Sequence, residues 1–262
     1  MIKPKKNLGQ NFLIDQDIIN EITEIVDIKN KSILEIGPGT GNLTKNILKK
    51  KPKKIIVIEK DNQLAELLKE NFKNSIKIIN KDVLKVNENT LDNSLLTVFG
   101  NLPYNISTEI LCKWILNIKN DKFWFDNLIL MFQKEVANRI IAKFNTKNYG
   151  RLSILSNWKL DIKKICDVKS SSFFPKPKID SSVLLFRPKL NFFPITNPKS
   201  LEKITRIFFM HRRKMLKKAY NQVFNGDFNV ANKLKIDLNL RPQNLNFETY
   251  YKLSKEFEDL RS

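Results

Sequence analysis

Short β-branched runs alternate with helical patterns along the first half of this chain, and that alternation limits the fold more than any other feature. The runs are SILEI (32–36), KIIVIE (54–59), SIKIIN (75–80), SLLTVFG (94–100) and NLILMFQ (127–133). Helical patterns cover 42–50, 61–72, 107–118 and 134–143. An amphipathic helix precedes them from Asp15 to Val26, with Ile18, Ile19, Ile22, Ile25 and Val26 on one face and Asp15 as its N-cap. Strands that alternate with helices form a parallel sheet covered on both faces, so the expected class is α/β.

From Tyr149 the pattern changes. YGRLSILSNW reads as a short helix, and KLDIKKICDV (159–168) and SSVLLFRP (181–188) as late strands around the Pro-rich FFPKPK. After Pro188 only helical patterns remain, and Pro188, Pro194 and Pro198 interrupt the chain there. The expected organisation is a sheet domain over 1–190 and a smaller all-helical domain over 191–262. The 262 residues carry 47 Lys or Arg against 27 Asp or Glu, a formal net charge of +20. From Lys189 to Ser262 there are 15 basic and 7 acidic residues, or +8. Charge of this size repels itself and points to a polyanionic partner. An AT-rich genome that inflates Lys, Asn and Ile is the alternative source.

With 42% hydrophobic residues, a sizeable core is expected. Cys112 and Cys166 stand singly in apolar segments with no CxxC, which reads as buried, inert thiols in a reducing compartment. His211 is the only histidine, so no metal site is expected. The N-terminal MIKPKKNLGQ is basic without an apolar h-region, and no run nears the ~18 apolar residues of a membrane span. A cytoplasmic protein without membrane contact is expected.

ILEIGPGTGNLT (33–44) puts Gly37, Gly39 and Gly41 at a strand-to-helix turn. Glycines there let the backbone take positive φ and approach a ligand closely. Glu59 ends the next strand, 22 residues after Gly37. A carboxylate at that offset can accept hydrogen bonds from both ribose hydroxyls of an adenine nucleoside. A dinucleotide needs G-x-G-x-x-G to seat its pyrophosphate on the helix N-terminus. Here Asn42 takes the last position, and Glu35 stands two residues before the turn. A carboxylate repels a pyrophosphate but attracts a sulfonium or an amino group, so S-adenosylmethionine fits better than NAD. Asp82, with Val83 beside it in KDVL, serves either an exocyclic adenine amine or a helix N-cap. NLPY (101–104) ends the 94–100 strand on the same carboxyl edge, outside which open α/β sheets bind ligands. Gly37, Glu59, Asp82 and Asn101 therefore converge on one crevice.

NLPY suits methylation of a flat, ring-bound amine. An adenine N6 amine is a poor nucleophile because its lone pair is delocalised. The Asn101 side-chain carbonyl and the Leu102 backbone carbonyl can accept its two N–H bonds. Both acceptors favour the amine as it becomes tetrahedral and positive, which stabilises the transition state preferentially. Pro103 holds Leu102 extended, and Tyr104 can stack on the ring.

The chain resembles the KsgA/RsmA family of small-subunit ribosomal RNA adenine dimethyltransferases. The matching segments are LGQNFL (8–13), EIGPGTGNLT (35–44), VIEKD (57–61), KDVL (81–84), GNLPYNIS (100–107), FQKEVANRI (132–140) and FFPKPKIDSSV (173–183). The resemblance implies a Rossmann-like S-adenosylmethionine-dependent methyltransferase sheet with a smaller C-terminal helical domain. It implies dimethylation of N6 on two adjacent adenosines in the 3′-terminal hairpin of 16S ribosomal RNA, in the assembling 30S subunit. A monomer is expected. The resemblance also implies that QNFL closes over the cofactor through Asn11 and Leu13, beside Glu35, Gly37, Gly39, Glu59, Asp82, Val83 and Asn101. It assigns Phe173 to the target base, opposite Tyr104, with Phe174 in the variable position of F-x-P-x-P-K. MHRRKMLKKAY, read as a helix, offers Arg212, Arg213, Lys214, Lys217 and Lys218 to RNA phosphates.

Erm-type enzymes of the large subunit resemble NIPYHLS and EIGTG, where this chain has NLPYNIS and EIGPG. A non-catalytic RNA- or DNA-binding assembly factor would not need an intact NLPY. A nicotinamide oxidoreductase lacks its third glycine here.

Overall fold

The computed structural model describes residues 4, 5, 8–118 and 122–261. Part of the N-terminal MIKPKKNLGQ stretch, read above as no signal peptide, lies outside the described residues. In the first half come β1 (Phe12–Leu13), α1 (Gln16–Glu24), β2 (Ser32–Ile36), α2 (Asn42–Lys49), β3 (Lys54–Glu59), α3 (Asn62–Phe72) and β4 (Lys77–Asn80). β5 (Leu96–Asn101), α4 (Ser107–Leu116), β6 (Phe125–Gln133), α5 (Lys134–Ile140), α6 (Arg151–Lys159), β7 (Leu160–Val168), β8 (Phe173–Phe174) and β9 (Ser181–Pro188) follow. The chain ends in α7 (Pro198–Met210), α8 (Leu216–Phe224), α9 (Asn229–Lys233) and α10 (Phe247–Asp259).

Seven strands form one sheet in the order β4-β3-β2-β5-β6-β9-β7. β4, β3, β2, β5 and β6 pair in parallel. Every residue of β2 is buried, as the near-continuous apolar runs of a sheet covered on both faces require. The five strands expected from the alternation are thus the parallel part of the sheet, and the late strand β9 adds to it antiparallel to β6. β1 and β8 form a separate two-stranded pair.

The connectivity fixes where a ligand can sit. From β2 the chain builds β3 and β4 to one side, then returns to β5 on the other. The carboxyl ends of β2 and β5 are therefore a topological switch point, where the edge opens into a crevice. A Cβ added to Gly37 would lie 3.6 Å from the Asn101 carbonyl oxygen, so the two strand ends meet across that crevice.

The chain divides into two compact units. The first comprises 1–113, 118–137 and 162–188. Its core packs Ile33, Ile55, Val57, Phe99, Ile129 and Met131 of the sheet with Ile19 and Ile22 of α1. The second comprises 114–117, 138–161 and 189–262, so it is not the single stretch after 190. Aromatic packing explains why 138–161 joins the tail. Tyr149 meets Phe209 and Phe247 edge-on, with ring centroids 6.0 and 5.3 Å apart. The Trp158 indole N–H donates to the Phe193 carbonyl at 2.8 Å, and the Tyr251 hydroxyl to that of Ile154 at 3.2 Å.

Candidate active site

A cleft with about 1170 Å³ of empty space, open to solvent, occupies the switch point. The Gly-rich turn forms its floor. Gly37 and Gly39 have φ of +64° and +58°, left-handed values that a side chain resists. A Cβ on Gly39 would also come within 2.7 Å of the Phe12 ring. Glycine at 39 therefore lets β1 lie directly over the turn.

The carboxylates are built in by backbone donors and burial. Glu35 is 1% exposed and accepts the Thr44 hydroxyl at 2.6 Å. Burial pushes its carboxyl up to about 7, against the Thr44 bond and with some help from Glu59. Glu59 accepts the Asp61 N–H at 2.8 Å and the Gly39 N–H at 3.3 Å. Burial raises it too, while those two donors pull it back. Asp82 is an N-cap that also lines the cleft. It caps the turn over Val83–Lys85 by accepting the Leu84 N–H at 3.0 Å, and it faces the cleft. Lys60, 2.8 Å away, holds it below the usual carboxylate range.

The opposite wall is NLPY. The Asn101 amide nitrogen donates to the Asn11 carbonyl at 2.8 Å. That bond orients the amide and leaves Oδ1 as its acceptor end. Leu102 is anchored in the core, and its side chain lies where any Cβ on Gly100 would go, 2.8 Å away. The Tyr104 hydroxyl shares a 2.6 Å hydrogen bond with the Ser181 hydroxyl, so its ring is held from β9. Burial raises the Tyr104 phenol.

The N-terminal segment closes the third side. Leu8 to Leu13 line the cleft. The Leu13 carbonyl accepts from the Asn42 amide at 2.8 Å. Lys5 and Gln10 reach Asp61 at 2.9 and 3.0 Å, tying this segment to the loop after Glu59. Sequence reasoning missed Lys5, Gln10, Asp61 and Ser181. Gln10, Asp61 and Ser181 stand inside matching segments and Lys5 outside them, but each acts through a partner at least 51 positions away, which no local pattern marks.

Asn11, Leu13, Glu35, Gly37, Gly39, Glu59, Asp82, Val83 and the whole of NLPY thus line one cleft. Phe173 does not line it. It is 2% exposed and packs in the sheet core, while Phe174 is 54% exposed. Strand alternation is the cause. β8 pairs Phe173 with the buried Leu13 and Phe174 with Phe12, so only one of the two rings can face out. Cys112 and Cys166 are half-buried rather than buried, and burial pushes the Cys166 thiol up to about 12. Among the described residues no His, Cys, Asp or Glu cluster is placed to hold a metal ion.

The basic residues lie in the second unit and are not on one helix. α7 stops at Met210 and α8 begins at Leu216, so Arg212, Arg213 and Lys214 sit in a turn and only Lys217 and Lys218 are helical. The Leu216 and Lys217 N–H groups donate to the carbonyls of Leu240 and Leu238, at 2.8 and 3.1 Å. Those tertiary bonds replace the ones a continuous helix would have made. Arg212 is partly buried and bonds to the Thr146 and Lys147 carbonyls. Arg213, Lys214, Lys217 and Lys218 are exposed.

The cleft can seat an adenine nucleoside bearing a cationic group. Its donor set fits S-adenosylmethionine: two raised, buried carboxylates, a glycine turn and an adjacent amide acceptor. Comparisons with known proteins agree. The family described as Ribosomal RNA adenine dimethylase matches residues 1–259. Ribosomal RNA small subunit methyltransferase A of Pelagibacter ubique (strain HTCC1062) is 67% identical over 99% of each chain. The like-named protein of Wolbachia sp. subsp. Drosophila simulans (strain wRi) is 42% identical over 99% of this chain and 96% of its own. The crystal structure of a dimethyladenosine transferase from Plasmodium falciparum aligns with TM-score 0.78 and 29% identity, covering 95% of this chain and 98% of that one. That of the 23S rRNA methyltransferase ErmE aligns with TM-score 0.67 over 96% of this chain and all of its own, at 21% identity, which is a likeness of fold.

Proposed function

The chain belongs to the ribosomal RNA adenine dimethylases, and from that premise we propose that it dimethylates N6 of two adjacent adenosines in the 3′-terminal hairpin of 16S ribosomal RNA during small-subunit assembly. The observation that carries this reading is Asn101, which lines the switch-point cleft with its amide nitrogen held by the Asn11 carbonyl and its carbonyl oxygen left as an acceptor. The relatives at 67% and 42% identity are named for the small subunit, which favours that substrate over the large-subunit alternative. The intact NLPY favours an enzyme over a non-catalytic assembly factor.

S-adenosylmethionine, when bound, supplies a methyl group on a sulfonium. The residues of the chain hold the two reactants. Glu59 accepts from ribose hydroxyls, Asp82 and Val83 meet the adenine, and Glu35 offers negative charge to the cationic end. Gly37 and Gly39 allow close approach, and Asn11 and Leu13 cover the site. Asn101 Oδ1 and the Leu102 carbonyl accept the two N–H bonds of the target amine and aim its lone pair. Tyr104, steadied by Ser181, faces the base. The methylated amine becomes acidic and loses its proton to water. Positioning therefore carries most of the rate. The first unit performs the transfer, and the exposed cations of the second hold ribosomal RNA. We assign the protein to the cytoplasm as a monomer; among the described residues no helix is long and apolar enough to cross a membrane.

The test uses small subunits that lack the dimethyladenosines, with labelled S-adenosylmethionine. Label is expected in the 3′-terminal hairpin. No incorporation by the purified protein, where a control dimethyltransferase labels the same subunits, would overturn the assignment.

A further inference from the structure

Arg212 does something other than meet a phosphate. Its guanidinium bonds to the carbonyls of Thr146 and Lys147, which fixes the loop 143–147 beside the turn that carries Arg213 and Lys214. A second strap holds the same loop. The Asn145 N–H donates to the Gln243 carbonyl at 2.9 Å, and the Asn244 amide donates to the Asn145 side chain at 2.8 Å. The Thr146 hydroxyl closes the loop on the Lys143 carbonyl at 2.6 Å, and Asn145 takes a left-handed φ of +63°.

This costly bracing presents an unusual surface. Residues 143–148 are all exposed, and Phe144 is 49% exposed between Lys143 and Lys147. The three segments joined here, 143–147, 211–218 and 238–241, carry eight Lys or Arg and no Asp or Glu. None of those eight is in an ion pair among the described residues. Elsewhere in the same unit three lysines are neutralised in place, Lys233 by Glu256, Lys252 by Glu248 and Lys255 by Asp259. An aromatic face set in an unneutralised basic surface matches unpaired RNA, where cations track the backbone and a ring stacks on a base.

We infer that the loop 143–147 is part of the RNA-binding surface, with Phe144 stacking on an unpaired base, Lys143 and Lys147 on phosphates, and Arg212 as the residue that positions the loop. The inference rests on the second unit binding RNA, as proposed above, and extends that surface to residues no basic motif marks.

The experiment measures binding of the full-length protein to two RNAs of equal length, a hairpin with a single-stranded loop and a blunt duplex, across a salt series. Phe144→Ala is expected to weaken hairpin binding roughly tenfold, leave duplex binding and the salt slope unchanged, and be rescued by Phe144→Trp. Lys147→Gln is expected to weaken both RNAs and lower the salt slope by about 1. Arg212→Lys keeps the charge but replaces the planar guanidinium fork with a compact ammonium, so it should loosen the whole loop, weakening the hairpin as Phe144→Ala does and both RNAs with a lower salt slope as Lys147→Gln does. If Phe144→Ala binds the hairpin like the parent while Lys217→Gln weakens both RNAs, the stacking role is wrong and the RNA surface stands. If neither variant alters binding to either RNA, the RNA reading of this unit fails with it.

Discussion

The cleft of the first unit and the basic surface of the second use polar residues in opposite ways. In the cleft nearly every polar group has a fixed partner: Glu35 with Thr44, Glu59 with two backbone donors, Asn101 with Asn11, Tyr104 with Ser181. On the surface Arg213, Lys214, Lys217 and Lys218 are exposed. The first arrangement is preorganised and shielded, so its interactions are strong and insensitive to salt. The second works at long range and weakens as salt rises. Substitutions in the cleft and its core should therefore cost much more than substitutions on the surface.

The largest expected effect is on stability. Phe173→Ala removes a buried ring and should cost about 3–5 kcal/mol in urea unfolding. Phe174→Ala, at an exposed position, should stay within about 0.5 kcal/mol of the parent. If Phe173→Ala keeps the parent's unfolding midpoint but loses methyl transfer, the ring works on the base, and its place in the core is not its main role. Next comes Asn101→Ala, which removes the acceptor proposed to act on the developing positive amine. Turnover is expected to fall about 10²–10³-fold, with S-adenosylmethionine affinity only modestly weakened and the loss equal at low and high salt. Equal turnover in variant and parent would remove Asn101 from the chemistry.

The same contrast explains what could be read from the chain itself. SILEI, KIIVIE and SSVLLFRP form strands over the ranges expected from them, because each is a local apolar run with punctuation at its ends. The cleft was legible because the parallel topology brings the ends of those runs to one edge, so strand-end residues share a site without any long-range inference. β1 and β8 were not legible. Each has two residues, and they pair across some 160 positions, so neither has a period to detect. The inward direction of Phe173 was hidden for that reason, since it is set by its register with Leu13. The break between α7 and α8 was equally hidden. MHRRKM contains no Pro or Gly, and the helix ends because α8 finds its first hydrogen-bond acceptors in 238–240.

Glu35 gives the cleft a pH signature that the surface lacks. Its folded value of about 7 lies above its ordinary 4.5. Between those values the folded state holds the proton more tightly than the unfolded chain. The contribution of Glu35 to stability is thus full below about pH 4.5 and is lost as pH rises toward 7, by on the order of 3 kcal/mol. Glu35→Gln stays neutral at every pH, so the parent's stability relative to the variant should decline over that window and level off above it. Saturating S-adenosylmethionine should flatten the decline, because a nearby cation favours the carboxylate. Urea unfolding of both proteins from pH 4.5 to 8, with and without S-adenosylmethionine, measures this. A constant difference across the range would mean that Glu35 is not held protonated by its burial.

The smallest effect is expected on the surface, and it carries the opposite signature to Asn101→Ala. Lys217 lies in the first turn of α8, where the helix dipole disfavours a cation, so Lys217→Gln should leave stability unchanged or slightly raised. Its cost should fall on RNA alone: a few-fold weaker binding near 0.15 M salt and a salt slope lower by about 1, the loss of one phosphate contact. Turnover at saturating small subunits should match the parent, because the proposed phosphate contact acts before the amine reaches the cleft. A drop in saturated turnover that persisted at all salt concentrations would mean that Lys217 acts through the cleft, and the division between fixed chemistry and long-range capture would not hold.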